Sequence, residues 1–162
     1  MTDILVCRHS LVSTRTFADV VSRLTATIGR PDMHAFHAAL NGASTAADLA
    51  TVVERTVGSS GLMEFIRFDA GEVLRKARGG HGPMMLRLVI GNPLIMQQMA
   101  MAVPDAAAYA PVTILIDERA DGVHLSYDSM ASLLAPYGDE PAVAVARNLD
   151  AQVLHLLEDA AR

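Results

Sequence analysis

The sequence contains acidic and phenolic side chains that could take part in proton transfer. Asp69 follows one predicted strand, Asp117 ends another, and Tyr127 lies on the strand that pairs with the strand of Asp117. A carboxylate that is removed from water can hold a raised pKa and exchange a proton with a substrate. Carboxylates at such positions also cap helices, and Asp69 before Ala70-Gly71 is typical of a cap. Both roles stay open, and the residues identify no reaction.

The six histidines invite a test for a metal site. His34 and His37 are three residues apart on a predicted helix, so both could face one ion. A third ligand would have to come from His9, His81 or Asp69. Two histidines at this spacing do not make a full ligand set, so the sequence predicts no metal site and identifies no cofactor. His81 lies between two glycines, with no paired nucleophile in view.

Methionines cluster around the end of one predicted strand and the helix that follows it. The cluster consists of Met84, Met85, Met96, Met99 and Met101. Flexible thioethers can line an adaptable apolar pocket, and they also fill cores that have few aromatic residues; only 4% of this chain is aromatic. The role of the cluster is therefore either a pocket wall or core packing.

Gly91-Asn92-Pro93 lies beside this cluster, at the end of the predicted strand. Glycine and asparagine tolerate unusual backbone angles, so such a segment can direct N–H groups and an amide at a ligand. The alternative is an ordinary turn. We predict a small, mostly apolar pocket near Asn92, Met96 and Tyr127, with Asp69 and Asp117 as further candidate ligand-binding residues.

The composition limits the classes of protein to consider. The chain has 162 residues, of which 51% are hydrophobic and 19% charged, which suits one globular domain spanning residues 1–162. The formal net charge of −5 argues against a nucleic-acid partner. No apolar stretch approaches the roughly 20 residues that span a bilayer, so we expect no membrane partner. The start of the chain does not resemble a signal peptide, and with the single cysteine, Cys7, this predicts a cytoplasmic protein.

The hydrophobic pattern predicts an α+β domain with a mainly antiparallel sheet. Strands are expected at residues 4–7, 62–68, 84–90, 112–117 and 123–127, with Cys7 buried in the first of them. The last two form a hairpin around the loop 118–122. Helices are expected at 17–28, 32–42, 49–57, 70–78, 94–102, 128–135 and 141–160, with Thr16, Ser44 and Asp139 as caps. Residues 31–60 are interpreted as a lid or insertion, and 139–162 as a helical extension.

The order of motifs from Arg67 to Gly138 resembles that of the DUF302 family, a group of small bacterial and archaeal proteins. The matching pieces are Arg67-Phe68-Asp69, Gly91-Asn92-Pro93, Leu94-Ile95-Met96-Gln97, a proline before the hairpin, and the hairpin at 114–128. Family members commonly have a histidine directly after the aspartate, where this chain has Ala70. They also place Gly-Thr-Pro after Gly-Asn-Pro, where this chain continues with Leu94. A site that depends on either element cannot be transferred.

The resemblance implies a curved, mainly antiparallel sheet covered by helices, related to the TATA-binding-protein-like folds, and a homodimer. It implies no established activity. The preferred hypothesis is a homodimeric protein that binds a small apolar ligand. The alternatives are an enzyme that uses a strand-end carboxylate for proton transfer, and an interaction module whose partner surface is the apolar stripe between Val145 and Leu157.

Overall fold

The computed structural model describes residues 3–162, and its strands form one antiparallel sheet in the order β1-β5-β4-β3-β2. The strands are β1 (Arg8–Ser13), β2 (Met63–Asp69), β3 (Met85–Gly91), β4 (Val112–Arg119) and β5 (Gly122–Asp128). The helices are α1 (Phe17–Thr25), α2 (Met33–Gly42), α3 (Ala46–Glu54), α4 (Ala70–Ala77), α5 (Pro93–Ala100), α6 (Ala106–Tyr109), α7 (Met130–Leu134) and α8 (Glu140–Ala161), with a 3-10 turn at Ala135–Tyr137. The predicted α+β class is confirmed.

Several predicted helix starts are confirmed in detail. The side chains of Thr16 and Asp139 accept hydrogen bonds from backbone N–H groups in the first turns of α1 and α8. Helix α3 is capped by Thr45 rather than Ser44, because Thr45 and Asp48 form a reciprocal capping box. Helix α6 was not predicted, since four residues are too few to show a helical period.

The first strand was predicted too early. The run at residues 4–7 precedes β1, and Cys7 is exposed rather than buried. In β1 the residues His9, Leu11 and Ser13 alternate with more exposed ones. An edge strand needs only one buried face, so every second residue can be polar. Such a strand contains no continuous apolar run by which it could be recognised in the sequence.

The hairpin between β4 and β5 is tighter than the predicted five-residue loop. Arg119 pairs with Gly122, which leaves Ala120 and Asp121 as the turn. Gly122 has a φ of +141°, and a Cβ atom there would lie 2.6 Å from the carbonyl oxygen of Ser13. A glycine is therefore required where this turn meets β1.

The core lies between the sheet and helices α1, α5, α7 and α8. Leu88, Ile114 and Tyr127 are paired across β3, β4 and β5, share one face of the sheet and are almost fully buried. The stripe of α8 joins them through Leu149 and Val153, with Leu157 also buried. The stripe considered above as a partner surface is thus part of the core. Among residues 3–162, no helix combines the length and apolar character needed to cross a bilayer.

The opposite side of the sheet, here called the open face, keeps large apolar side chains in contact with solvent. By the strand register it includes Val12 on β1, Leu115 on β4, Arg87 on β3, and Ile66 and Phe68 on β2. Val12, Ile66 and Phe68 are about half exposed, at 50%, 54% and 49%. This face is therefore less completely covered than the helix-facing side.

Candidate functional site

A cavity of about 190 Å³ lies beneath helix α2, where α2, β2, the start of α5, the start of β4 and α8 meet. It is lined by Phe36, His37, Leu40, Phe65, Gly91, Asn92, Pro93, Met96, Ala110, Pro111, Val112 and Leu149. None of these residues is acidic, lysine or arginine. The cavity is therefore apolar in character, with polar side chains only from His37 and Asn92.

Helix α2 forms the outer wall of the cavity. Leu40 lies four positions after Phe36 and three after His37, so it neighbours both of them on the side of the helix that borders the cavity. Phe36 is the only buried residue of the helix, and its ring meets that of Phe65 edge to face, with centroids 6.2 Å apart and planes at 83°. Helix α2 is thus held over the sheet mainly by one aromatic contact.

Phe65 reaches this contact because β2 contains a bulge. The pairing of β2 with β3 shifts between Glu64 and Ile66: Glu64 lies opposite Ile90, and Ile66 lies opposite the next residue, Val89. Phe65 is the extra residue that this shift leaves without a partner. Bulges re-aim side chains next to functional sites, and here the bulge residue forms part of the cavity wall.

The chain enters and leaves the α2–α3 segment through a pair of glycines. We call residues 30–57 the arm and Gly29 with Gly58 the neck. Both neck N–H groups donate to the carbonyl oxygen of Leu62, at 2.9 and 3.0 Å. A Cβ atom on Gly29 would lie 2.0 Å from the carbonyl oxygen of Thr56, and one on Gly58 would lie 2.1 Å from that of Thr27. Only glycine allows the two backbones to pass this closely.

The floor of the cavity is built from the Gly91-Asn92-Pro93 segment. Asn92 caps α5, with its Oδ1 accepting from the N–H of Leu94 at 2.8 Å and its Nδ2 donating to the carbonyl oxygen of Gly61 at 2.9 Å. Met96 lies one helical turn further on. Asn92 thus borders the cavity, while its amide is already engaged in fixing the end of the strand.

Tyr127 lies elsewhere. It does not line this cavity, and its hydroxyl donates to the buried carboxylate of Asp150 on α8 at 2.5 Å. Burial, followed by the charge of Asp150, raises the pKa of the Tyr127 hydroxyl above its usual range. Tyr127 instead borders a separate depression of about 270 Å³ together with Arg8, Tyr109 and Asp128. The structure therefore brings Asn92 and Met96 together but separates Tyr127 from them.

Asp150 was not singled out by the sequence analysis, and it organises the largest buried polar cluster described here. Its Oδ1 accepts from the Tyr127 hydroxyl and from the N–H of Met130, and its Oδ2 accepts from the Ser129 hydroxyl and from the N–H of Ala131. The distances range from 2.5 to 3.1 Å. One signal was available: Asp150 falls on the apolar stripe of α8, where a charge needs buried partners.

The other two predicted carboxylates are engaged at a distance from the cavity lining. Asp69 caps α4 by accepting from the N–H of Glu72 at 2.7 Å, and it pairs with Arg75 at 3.2 Å. Asp117 is 5% exposed and pairs with Arg119 at 2.6 Å. Neither contributes to the cavity, so the structure does not bring them together with Asn92 and Met96.

The histidine pair of α2 does not form a ligand set. His34 and His37 are both exposed, and His81 lies exposed in the glycine-rich loop before β3. Within residues 3–162 no group of three or more histidine, cysteine or acidic side chains is placed to hold a metal ion. What His37 does contribute is an imidazole at the rim of the cavity.

Comparison with known proteins gives a family and a fold. The family described as domain of unknown function DUF302 matches residues 40–160, which includes parts of both segments, 31–60 and 139–162, that the sequence analysis set apart. The crystal structure of an uncharacterized conserved protein DUF302 from Bacillus stearothermophilus is similar, with a TM-score of 0.67 and 12% identity. The similarity covers 96% of this chain and 98% of that one. No curated protein matches the chain significantly.

Proposed function

The chain belongs to the DUF302 family, and we propose that it binds a small, mostly apolar molecule in the cavity beneath α2. The observation that carries this proposal is the cavity itself: aromatic, aliphatic and thioether side chains from α2, β2, α5 and α8 surround about 190 Å³ that none of them fills. Protein interiors are close-packed, with few voids larger than a water molecule. A half-enclosed apolar space of this size is a favourable place for an apolar ligand.

The position of α2 supports the same proposal. Without α2 the cavity would lose Phe36, His37 and Leu40, and Phe65 would face solvent. Phe36 is the only residue of this helix that is buried. A bound apolar molecule would add contacts between α2 and the sheet, so ligand binding and the docking of α2 should support each other.

Native mass spectrometry on freshly purified protein is the first test. A reproducible additional mass on the folded protein supports the proposal, and its loss in Met96→Trp places that mass in the cavity, because the indole would occupy the space beside Asn92. Met101→Trp is the matched control, since Met101 follows the same helix and is 80% exposed. Retention of the mass by Met96→Trp would contradict the assignment.

A second test does not need a retained ligand. Toluene and cyclohexane are added to the purified protein and the thermal unfolding midpoint is followed. A ligand that binds only the folded state raises the midpoint. We expect a rise for the wild type and for Met101→Trp, and none for Met96→Trp. No rise with either probe in the wild type would count against an apolar binding site.

We propose further that the protein acts as a homodimer that packs through the open face. Val12, Ile66 and Phe68 keep about half of their side-chain surface exposed there. Five strands at about 4.8 Å spacing and some six residues of about 3.3 Å each cover roughly 480 Å² in projection. This is somewhat more than half of the about 800 Å² per partner that a standard interface buries, so the proposed interface would also have to include residues beside the sheet.

The proposed dimer is tested by measuring the molecular mass of the protein in solution by light scattering. Phe68→Glu places a charge on the open face at its β2 edge and should give a monomer. Val73→Glu on α4 is the control, because Val73 is similarly exposed but lies outside the sheet. A monomeric wild type, or a dimer that survives Phe68→Glu, would show that this face is not the interface.

The binding function is favoured over proton transfer by the environment of the carboxylates. Asp69 and Asp117 each pair with an arginine and lie outside the cavity lining. Neither carboxylate therefore faces the space that would hold a substrate.

A further inference from the structure

The composition of the cavity wall restricts the ligand further, and this step rests on the function proposed above. A charged group that entered the cavity would lose its water without meeting an opposite charge, because no lysine, arginine, aspartate or glutamate lines it. Burying an unpaired charge is strongly unfavourable. The ligand is therefore uncharged.

The wall also favours a flat ring. Phe36 and Phe65 stand nearly perpendicular to each other, so a third ring can meet the face of one and the edge of the other. The thioether of Met96 lines the same space, and sulfur contacts with aromatic rings are favourable. Pro111 approaches Gly91 so closely that a Cβ atom on Gly91 would lie 3.0 Å from the Cβ of Pro111, which narrows this side of the cavity.

The size of the space sets the number of rings. Cavities for drug-sized ligands occupy about 300–1,000 Å³, whereas one of about 150 Å³ accepts benzene. At about 190 Å³, the cavity beneath α2 suits one ring system with a short substituent.

The polar groups at the cavity indicate where such a substituent would point. Both ends of the Asn92 amide already hold backbone groups of Gly61 and Leu94. His37 at the rim is exposed, and its imidazole lies against Phe36 with ring centroids 6.0 Å apart. An imidazole nitrogen can exchange a hydrogen bond with a hydroxyl or N–H group on a ring that lies against Phe36 and Phe65.

From these four features we propose that the cavity binds an uncharged molecule with a single aromatic ring system that carries one hydroxyl or N–H group directed at His37. Phenol and indole represent this class. Cyclohexanol differs from phenol by its saturated ring, and benzoate carries a charged carboxylate in place of the hydroxyl.

The experiment is titration calorimetry of the full-length protein with phenol, cyclohexanol, benzoate and toluene at pH 7. We expect phenol to bind about fivefold more tightly than cyclohexanol, from the added aromatic contacts. Benzoate should bind at least about tenfold more weakly, because its carboxylate would lose part of its water at the rim without meeting an opposite charge. Phe65→Leu keeps an apolar wall and should remove most of the preference for phenol over cyclohexanol.

His37→Ala tests the direction of the polar group. It should weaken phenol binding about threefold, which corresponds to the loss of one hydrogen bond, and leave toluene binding unchanged. Equal weakening of phenol and toluene, or of neither, would overturn the role of His37.

The possible failures are distinguishable. If cyclohexanol binds as tightly as phenol, the ligand is not specifically aromatic, although the apolar site stands. If benzoate binds as tightly as phenol, the ligand need not be uncharged. If neither toluene nor cyclohexanol nor phenol binds, the proposed function itself fails.

Discussion

Two neighbouring residues of α8 serve opposite regions of the molecule. Leu149 forms part of the wall of the cavity beneath α2, and Asp150 holds the polar cluster at the start of α7. Both side chains are buried, at 3% and 7% exposure. In the cluster, each oxygen of the Asp150 carboxylate has two donors. In the cavity, there is space and no charged group.

The difference separates the structural role of the cluster from the binding role proposed for the cavity. A buried carboxylate with four donors is already saturated, so it fixes the position of α7 and α8 and has little capacity for a ligand. An unfilled apolar wall has lost dispersion contacts that a ligand can restore. In this protein, unfilled apolar volume is therefore a better reason to propose a binding site than buried charge by itself.

The largest expected effect on stability comes from removing the carboxylate at the centre of the polar cluster. Asp150→Ala leaves the Tyr127 and Ser129 hydroxyls and two backbone N–H groups without their acceptor, and should lower the free energy of unfolding by about 3–5 kcal/mol. Urea unfolding measures it. Asp159→Ala on the same helix is the control, and we expect a loss below about 1 kcal/mol because its partners are exposed. Similar losses for both would show that the Asp150 cluster is not a structural anchor.

A smaller loss is expected from the neck that positions the cavity wall. Gly29→Ala forces a Cβ atom against the carbonyl oxygen of Thr56 and should cost about 2–3 kcal/mol. Gly42→Ala, at the end of α2 with nothing within 4 Å of the added atom, should be neutral or slightly stabilising. Hydrogen exchange should show faster opening of the arm in Gly29→Ala, with α7 and α8 unaffected. Faster exchange in α7 and α8 instead would mean that the two regions are coupled.

A pH experiment sharpens the comparison, because only the polar cluster contains a buried tyrosine hydroxyl. Burial raises the pKa of Tyr127 in the folded protein, so above about pH 10 the unfolded chain releases a proton that the folded one keeps. This contribution to stability is complete below pH 10 and falls by about 1.4 kcal/mol per pH unit above it. Tyr127→Phe should show a correspondingly shallower decline in urea unfolding between pH 10 and 11. Identical slopes would rule out Tyr127 as the titrating group.

The smallest effect is expected at the rim of the cavity. His37→Ala should change the free energy of unfolding by no more than about 0.5 kcal/mol, because the side chain is exposed. The same substitution is expected to alter ligand binding as described above. A loss of stability comparable to that of the Gly29→Ala variant would place His37 in the framework of the protein rather than at its binding surface.

Local signals in the sequence predicted much of the fold. The caps Thr16 and Asp139 and the hairpin partners follow from residue types within a few positions of each other. The Gly-Asn-Pro turn and the methionine at position 96 likewise indicated one side of the cavity.

The rest of the site depends on contacts between distant segments. Phe36 reaches Phe65 only because the neck brings residues 29 and 58 together and the bulge turns Phe65, and neither arrangement has a periodic signature. Tyr127 was placed wrongly beside Asn92 because its position depends on the order of strands in the sheet, with β4 between β5 and β3. Asp150 was missed because the sequence does not indicate which residues will donate hydrogen bonds to a single acidic side chain on an apolar stripe.

The neck also has an evolutionary consequence. Since the arm leaves and returns beside one backbone position, the carbonyl of Leu62, a change in its length would not by itself alter the pairing of the strands. One side of the cavity belongs to the arm and the other to the sheet, α5 and α8. A chimera that exchanges residues 30–57 between homologous chains would take the outer wall of the cavity from one parent and its floor from the other, and under the proposed function this would change the ligand preference.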